Sequence, residues 1–221
     1  MKKIVSVLSR ALLGWYVRGA FIKEIRGGEN FPRMGNCILA QNHLSHLDWL
    51  IDGYLCAPRR FTFIGQVDKM TGVMGFLRDM LYGYAEVIPV NRKDKESKKR
   101  AIGKAIEMLK QGYCLIIYPE GTRSKDGQLH EFKPGVAKLH LESAVPVLPV
   151  AIEGTYELMP PGQKLKIKKI VTVSIGKPLD FLKEREEAKN LDKNSQEYYS
   201  LCSSVAKKIE DEVRLLQSSK S

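Results

Sequence analysis

The stretch SKKRAIGKAIEMLKQGYCLIIY, residues 97–118, holds a helix and a strand in direct succession and decides the fold class. Ala101, Ile102, Ala105, Ile106 and Leu109 recur at helical spacing and form one apolar stripe. Gly112 follows as a C-cap, so the spacing predicts a helix over 97–111. Residues 113–118, YCLIIY, are a continuous apolar run rather than an alternating one. Such a run suits a strand buried on both faces, as in a parallel sheet covered by helices.

Working outward, the same alternation repeats. Residues 37–41 (CILAQ), 61–67, 85–90, 147–152 and 170–175 read as strands, and 17–31 as strand and turn. Residues 48–56, 72–81 and 135–143 read as helices, and from Lys183 the chain turns helical and charged, with a last helix near 197–217. The expected fold class is α/β, a mainly parallel twisted sheet flanked by helices, with a short N-terminal amphipathic helix. The expected organisation is an N-terminal helix at 1–16, an α/β domain at 17–182 and a C-terminal helical segment at 183–221. In such sheets ligands collect beyond the carboxyl ends of strands. Asn42-His43, Arg92 and Pro119-Glu120-Gly121 each follow a predicted strand.

At the N-terminus, residues 4–22 are apolar but contain Arg10 and Arg18. A spanning helix needs about 20 mostly apolar residues, so this is a poor span. Arg10 also breaks the apolar core that a signal peptide requires. As a helix, Ile4, Leu8, Ala11, Leu12 and Trp15 share one face, opposite Lys2, Lys3, Ser6, Ser9 and Arg10. That pattern fits a helix lying in a membrane interface, with Trp15 and Tyr16 at headgroup depth, or a helix packed on its own domain.

The 36 Lys and Arg outnumber the 25 Asp and Glu, giving a net charge of +11. This field favours nucleic acid, an acidic membrane surface or a phosphate-bearing substrate, and charge does not choose among them. The chain lacks the aromatic-basic signature of RNA-binding modules, so nucleic acid is not the expected partner. Cys37, Cys56, Cys114 and Cys202 are scattered without ligand spacing, which argues against zinc and against a disulfide framework.

Two segments carry chemistry. In NHLSHLD, residues 42–48, His43 and Asp48 are five apart. On a continuous helix they would lie about 140° apart and could not pair. If Ser45 caps a helix, the strand-to-helix bend returns the Asp48 carboxylate toward His43, holding one imidazole nitrogen and leaving the other free as a base. The same spacing, Ser45-x-x-Asp48, fits a capping box in which Asp48 only closes a helix end. From this segment alone both readings stand. In YPEGTRS, residues 118–124, Gly121 lets backbone approach a ligand and Arg123 offers a charged fork for phosphate. Glu120 would accept from substrate hydroxyls or orient nearby arginines. A solvated turn is the plain alternative.

Together and in order, NHLSHLD, YPEGTRS and the proline-bearing strand VPVLPVAI at 145–152 resemble the glycerolipid acyltransferase family with its HxxxxD motif, whose best-known members are the lysophosphatidic acid acyltransferases. The resemblance covers about residues 27–178. Tyr118 stands where phenylalanine is common. In the family's second region Lys69 and Arg92 fall at matching places, while Gly72 and Asp79 replace the usual leucine and glycine.

The resemblance implies a one-step transfer from a thioester, with His43 as base and Asp48 orienting it. It implies an acceptor phosphate held by Lys69, Arg92 and Arg123, with Glu120, Gly121 and Thr122 in the same binding loop. No metal or cofactor is expected; acyl-CoA or acyl carrier protein would be the co-substrate, and a lysophospholipid the acceptor. The protein would lie on the cytoplasmic face of a membrane containing anionic lipid, peripheral or monotopic. The other readings are the same chemistry on another lysolipid or lipid-like acceptor, a nucleic-acid-binding protein, and a non-catalytic lipid-binding relative.

Overall fold

A computed structural model describes residues 14–32, 35–66, 86–91, 93–160 and 162–218. Seven strands form one sheet: β1 (Ile22–Arg26), β2 (Cys37–Gln41), β3 (Phe61–Gln66), β4 (Ile88–Val90), β5 (Cys114–Ile117), β6 (Val147–Glu153) and β7 (Val171–Ile175). Their spatial order is β1-β7-β6-β2-β5-β3-β4. Every neighbouring pair is parallel except β6–β7. The helices are α1 (residues 14–20), α2 (Asp48–Cys56), α3 (Lys95–Lys110), α4 (Gly135–Ser143), α5 (Thr155–Leu158), α6 (Leu182–Lys189) and α7 (Gln196–Ser218).

The expected α/β class is what the chain adopts, for the reason read in the apolar strands. All five residues of β2 are buried. Ile38 and Ala40 face a core that contains Leu115, Val147 and residues of α3, α4 and α7. Cys37 and Leu39 face a second core with Ile116, Leu148 and residues of α1 and α2. Two buried faces leave no place for polar alternation. β2 pairs with β5 (Leu39 beside Ile116) and with β6 (Ala40 beside Pro149), so it lies at the centre of the sheet.

Some element boundaries differ from expectation. Helix α1 continues through residue 20, where the sequence suggested strand and turn from 17, because Val17 and Phe21, four apart, both dock into the second core. Helix α3 starts at Lys95 rather than 97, because Asp94 accepts a hydrogen bond from the Glu96 backbone at 3.0 Å and caps it. Strand β4 begins only at Ile88, because Glu86 takes a left-handed turn (φ 48°) and its carbonyl accepts from Thr62 Oγ1 at 2.7 Å. The expected helix at 72–81 lies outside the described residues.

Helix α7 lays Val205, Ala206, Ile209 and Val213, all fully buried, into the first core beside Ile38 and Val147. The C-terminal segment therefore shares the core of the α/β domain. Replacing Ile209 with alanine should cost about 2–5 kcal/mol. Urea unfolding checks this, and a loss below about 1 kcal/mol would show that α7 is only loosely docked.

Candidate active site

The site begins where β2 ends. The Asn42 side chain donates to Ile152 O at 2.9 Å and accepts from Ile152 N at 2.8 Å. It thereby fastens the end of β2 to β6 immediately before His43. His43 is then held through its own backbone. Its N–H donates to Glu120 Oε1 at 2.9 Å, and its carbonyl accepts from Ser124 N at 2.7 Å. The YPEGTRS turn that follows β5 thus wraps the histidine from both sides.

The turn after His43 converges on one atom. Asp48 Oδ2 accepts from His43 Nδ1 at 2.8 Å, from Leu44 N at 2.7 Å and from Ser45 N at 2.8 Å. Ser45 is not the residue that starts α2. Helix α2 begins at Asp48 itself, after Leu47, and Ser45 Oγ accepts from Leu47 N at 3.2 Å. The two sequence readings of Asp48 therefore coexist, since one carboxylate closes the turn and pairs with the imidazole. An ionised carboxylate only accepts, so Nδ1 carries the proton and Nε2 is left with its lone pair. Asp48 is fully buried, while the His43 side chain retains 13% of its exposure.

The His43 ring lies on the ring of Tyr118, with centroids 4.0 Å apart and planes 12° from parallel. Tyr118 in turn donates to Asp52 Oδ2 at 2.7 Å, and Gln41 Nε2 donates to the same oxygen at 3.2 Å. Asp52 is wholly buried, and burial pushes its carboxyl above the usual range. Burial also pushes Glu120 up to about 7, against the lowering effect of the backbone N–H groups of His43 and His130. Glu120 thus anchors the backbone of His43 and pairs with no arginine among the described residues.

Beside this cluster is a cavity of about 340 Å³. His43, Tyr118, Pro119 and Gly121 form its polar end; Ile64, Val90, Ala101, Ile102, Ile117, Val136 and Leu139 give the rest an apolar lining, to which Lys98 adds one cation. Its volume lies within the range of small-molecule pockets, about 300–1,000 Å³. Lys133 reaches this polar end, and its backbone N–H donates to Pro119 O at 3.0 Å. Gly121 has φ +74°, a left-handed conformation that favours glycine, and Lys133 Nζ lies over the position a Cβ would take.

His43, Asp48, Glu120 and Gly121 are thus brought together. Thr122 is exposed on the same turn. Arg123 has no ion pair among the described residues, and its charge lies near enough to His46 to add to the burial that lowers that imidazole's pKa. Lys69, Gly72, Asp79 and Arg92 lie outside the described residues, although Val90, two positions before 92, lines the cavity. Sequence reasoning placed Asn42 at a strand end without a role, and it missed Asp52 and Lys133. The available signal was weak: an amide at a strand end, a second carboxylate one turn after Asp48, and a lysine before Pro134-Gly135. Among the described residues no His, Cys, Asp and Glu cluster could hold a metal ion.

The site is thus a histidine paired with a buried carboxylate, at the carboxyl edge of a mainly parallel sheet and beside a largely apolar cavity. Residues 23–153 match the family described as Acyltransferase, and the chain belongs to it. It is 34% identical over 143 residues to a chloroplastic 1-acyl-sn-glycerol-3-phosphate acyltransferase of Brassica napus, covering 64% of this chain and 40% of that protein. It is 33% identical over 138 residues to the 1-acyl-sn-glycerol-3-phosphate acyltransferase of Borreliella burgdorferi, covering 59% of this chain and 51% of that protein. The chain thus spans about half the length, or less, of these curated relatives. Among solved structures it is similar to the 1-acyl-sn-glycerophosphate (LPA) acyltransferase PlsC from Thermotoga maritima. The TM-score is 0.69 and the identity 28%, over 97% of this chain and 80% of that one.

Two measurements test the geometry. Glu120 has a folded-state pKa of about 7 against an ordinary 4.5. Between these values the folded state keeps a proton that the unfolded state has lost, so stability falls as pH rises through the window and levels off above it. Glu120→Gln does not titrate and should flatten that fall. From about pH 5 to pH 7.5 the variant should gain on the wild type by roughly 1 kcal/mol or more in urea unfolding. Parallel curves would refute the raised pKa. Tyr118→Phe keeps the ring under His43 but removes a hydrogen bond to a buried carboxyl, so it should lose about 1–3 kcal/mol of stability. Its turnover should exceed that of Tyr118→Ala, and equal turnover would show that the stacked ring does not position the imidazole.

Proposed function

We propose that the protein transfers a fatty acyl chain from an acyl thioester to the free hydroxyl of a 1-acylglycerol-3-phosphate-type acceptor, giving phosphatidic acid. The observation that carries this reading is His43, its Nδ1 held by Asp48 and its Nε2 unpartnered among the described residues, at the polar end of an apolar cavity. The names of the relatives support the acceptor class.

In this reading Nε2 takes the proton from the acceptor hydroxyl as its oxygen attacks the thioester carbonyl. Asp48 stabilises the imidazolium so formed. The tetrahedral intermediate collapses, the carbon–sulfur bond breaks, and the thiolate recovers the proton from Nε2. No acyl-enzyme forms, and no cofactor takes part. The apolar walls suit the acyl chain and keep water from the carbonyl. Lys69, Arg92 and Arg123 hold the acceptor phosphate by charged hydrogen bonds, each contributing roughly 1.5–3 kcal/mol. The donor is acyl-CoA or acyl carrier protein, and the protein works on the cytoplasmic face of a membrane. Among the described residues no helix is long and apolar enough to cross one.

Purified protein supplied with labelled acyl thioesters and a panel of lysolipids tests the reading. His43→Ala should lower kcat by on the order of 10²–10⁴ with circular dichroism unchanged. Full activity in that variant would sink the base assignment. Arg92→Ala should raise KM for phosphate acceptors more than for neutral monoacylglycerols, and an equal rise would overturn the phosphate clamp.

A further inference from the structure

The segment QKLKIKKI, residues 163–170, precedes β7 and interleaves Lys164, Lys166, Lys168 and Lys169 with Leu165, Ile167 and Ile170. Residues 162–169 are all exposed, and Leu165 and Ile167 keep 43% and 66% of their surface in solvent. None of the four lysines has an ion pair among the described residues. The segment is nonetheless tied down: Lys166 N donates to Leu158 O at 2.8 Å and Gln163 N to Pro160 O at 3.0 Å. A fixed loop that holds two aliphatic side chains in water between unpaired cations is costly unless something covers it.

Its place in the fold indicates what does. β6 is parallel to β2, so both end at the edge where His43 stands. β7 is antiparallel to β6 and β1 is parallel to β7, so β7 and β1 begin at that same edge. The lysine loop enters β7 and helix α1 enters β1. Val171 N donates to Phe21 O at 2.8 Å where the two segments meet the sheet. Helix α1 there exposes Trp15 at 79% and Tyr16 at 48%. Of the seven large hydrophobic side chains most exposed among the described residues, these two segments hold four. A further link joins this surface to the catalytic turn, as Ser45 Oγ donates to Met159 O at 2.9 Å just before the loop.

We infer that residues 163–170, together with Trp15 and Tyr16, form a docking surface for an anionic lipid bilayer, which sets the His43 edge against the leaflet that holds the acceptor. The surface has the two properties such a bilayer selects. Unpaired lysines meet the negative surface potential, and aliphatic and indole side chains enter the headgroup region. This rests on the acyltransferase reading only for its purpose, because a lysolipid acceptor resides in that leaflet. The surface itself stands on exposure, charge and topology.

The test uses the full chain and vesicles of phosphatidylcholine, alone or mixed two to one with phosphatidylglycerol. Sedimentation should show that replacing Lys164, Lys166, Lys168 and Lys169 by glutamine lowers partitioning to the anionic vesicles by roughly 600-fold, at about fivefold per charge. Binding to the neutral vesicles should hardly change. Leu165→Ser with Ile167→Ser should weaken binding to both. Turnover of a short-chain thioester and a short-chain lysolipid, both monomeric in solution, should be unchanged in both variants. Vesicle binding equal to wild type in both variants overturns the surface, and so does a wild type that does not bind anionic vesicles. Lost turnover of the soluble substrates in a folded variant also overturns it, since the loop then serves the site directly. Unchanged vesicle binding with turnover lost only from acyl carrier protein donors overturns it in favour of a carrier-protein dock. Loop-dependent binding in a wild type that transfers no acyl group sustains the surface and sinks the proposed activity instead.

Discussion

One carboxylate oxygen, Asp48 Oδ2, gathers the imidazole of His43 and the backbone N–H groups of Leu44 and Ser45. The shape of the site follows from that convergence. A buried acceptor with three donors within 2.8 Å leaves the 43–48 turn no neighbouring conformation of similar energy, because releasing any donor would strand it away from water. The turn fixes the ring, and the ring fixes which nitrogen is free. The YPEGTRS turn then holds the histidine's own amide and carbonyl, so the proposed base is constrained through both its side chain and its main chain. Such double constraint is what a base needs if the substrate, and not the enzyme, is to move during reaction.

The site has three buried carboxyl groups, and their surroundings separate their roles. Asp48 faces three donors, one of them the imidazole, and can stabilise a positive charge that appears there. Glu120 faces backbone amides and a desolvated wall, which raises its pKa to about 7 and suits it to hold backbone in place. Asp52, as fully buried as Asp48, receives the Tyr118 hydroxyl and the Gln41 amide. Its link to His43 is mechanical: it holds the phenol, and the phenol ring supports the imidazole at 4.0 Å. The tyrosine hydroxyl, absent from the phenylalanine common at this position, therefore finds its partner one helical turn after Asp48.

Much of this was legible in the residues. Strands such as 37–41 and 113–118 announce themselves because a strand buried on both faces has to be apolar throughout. The candidate base was legible as well, but its significance was not. The spacing of Ser45 and Asp48 fits a helix cap and a paired histidine, and sequence treats them as rivals. The structure shows why they are not, since the atom that closes the turn is the atom that holds the ring. Asn42 was opaque for a different reason. Its value lies in two bonds to Ile152, 110 residues away, and no local pattern encodes a contact at that distance. Lys133 was opaque because its place beside the cavity comes from a backbone bond to Pro119, 14 residues earlier, that no local pattern encodes. The loop at 163–170 was passed over because charged segments between strands are ordinary. Its position became informative only once the antiparallel β7 turned its start toward the catalytic edge.

That reversal of direction is itself a physical solution. A wholly parallel sheet sends its carboxyl ends to one side and its returning chain to the other, so the residues entering strands lie far from the site. Here β7 and β1 run against the other five strands, and the segments that enter them come to the same edge as the residues that leave β2 and β5. The edge consequently carries two kinds of surface at once. Inside, a histidine paired with a buried carboxylate faces a largely apolar cavity. Outside, unpaired lysines, an exposed tryptophan and two aliphatic side chains remain in contact with solvent. An amphiphile presents the same division between chain and headgroup. A sheet edge assembled from strands of both directions can meet each part of it without a separate domain, and the antiparallel pairing of β6 with β7 is the structural feature that makes this arrangement available.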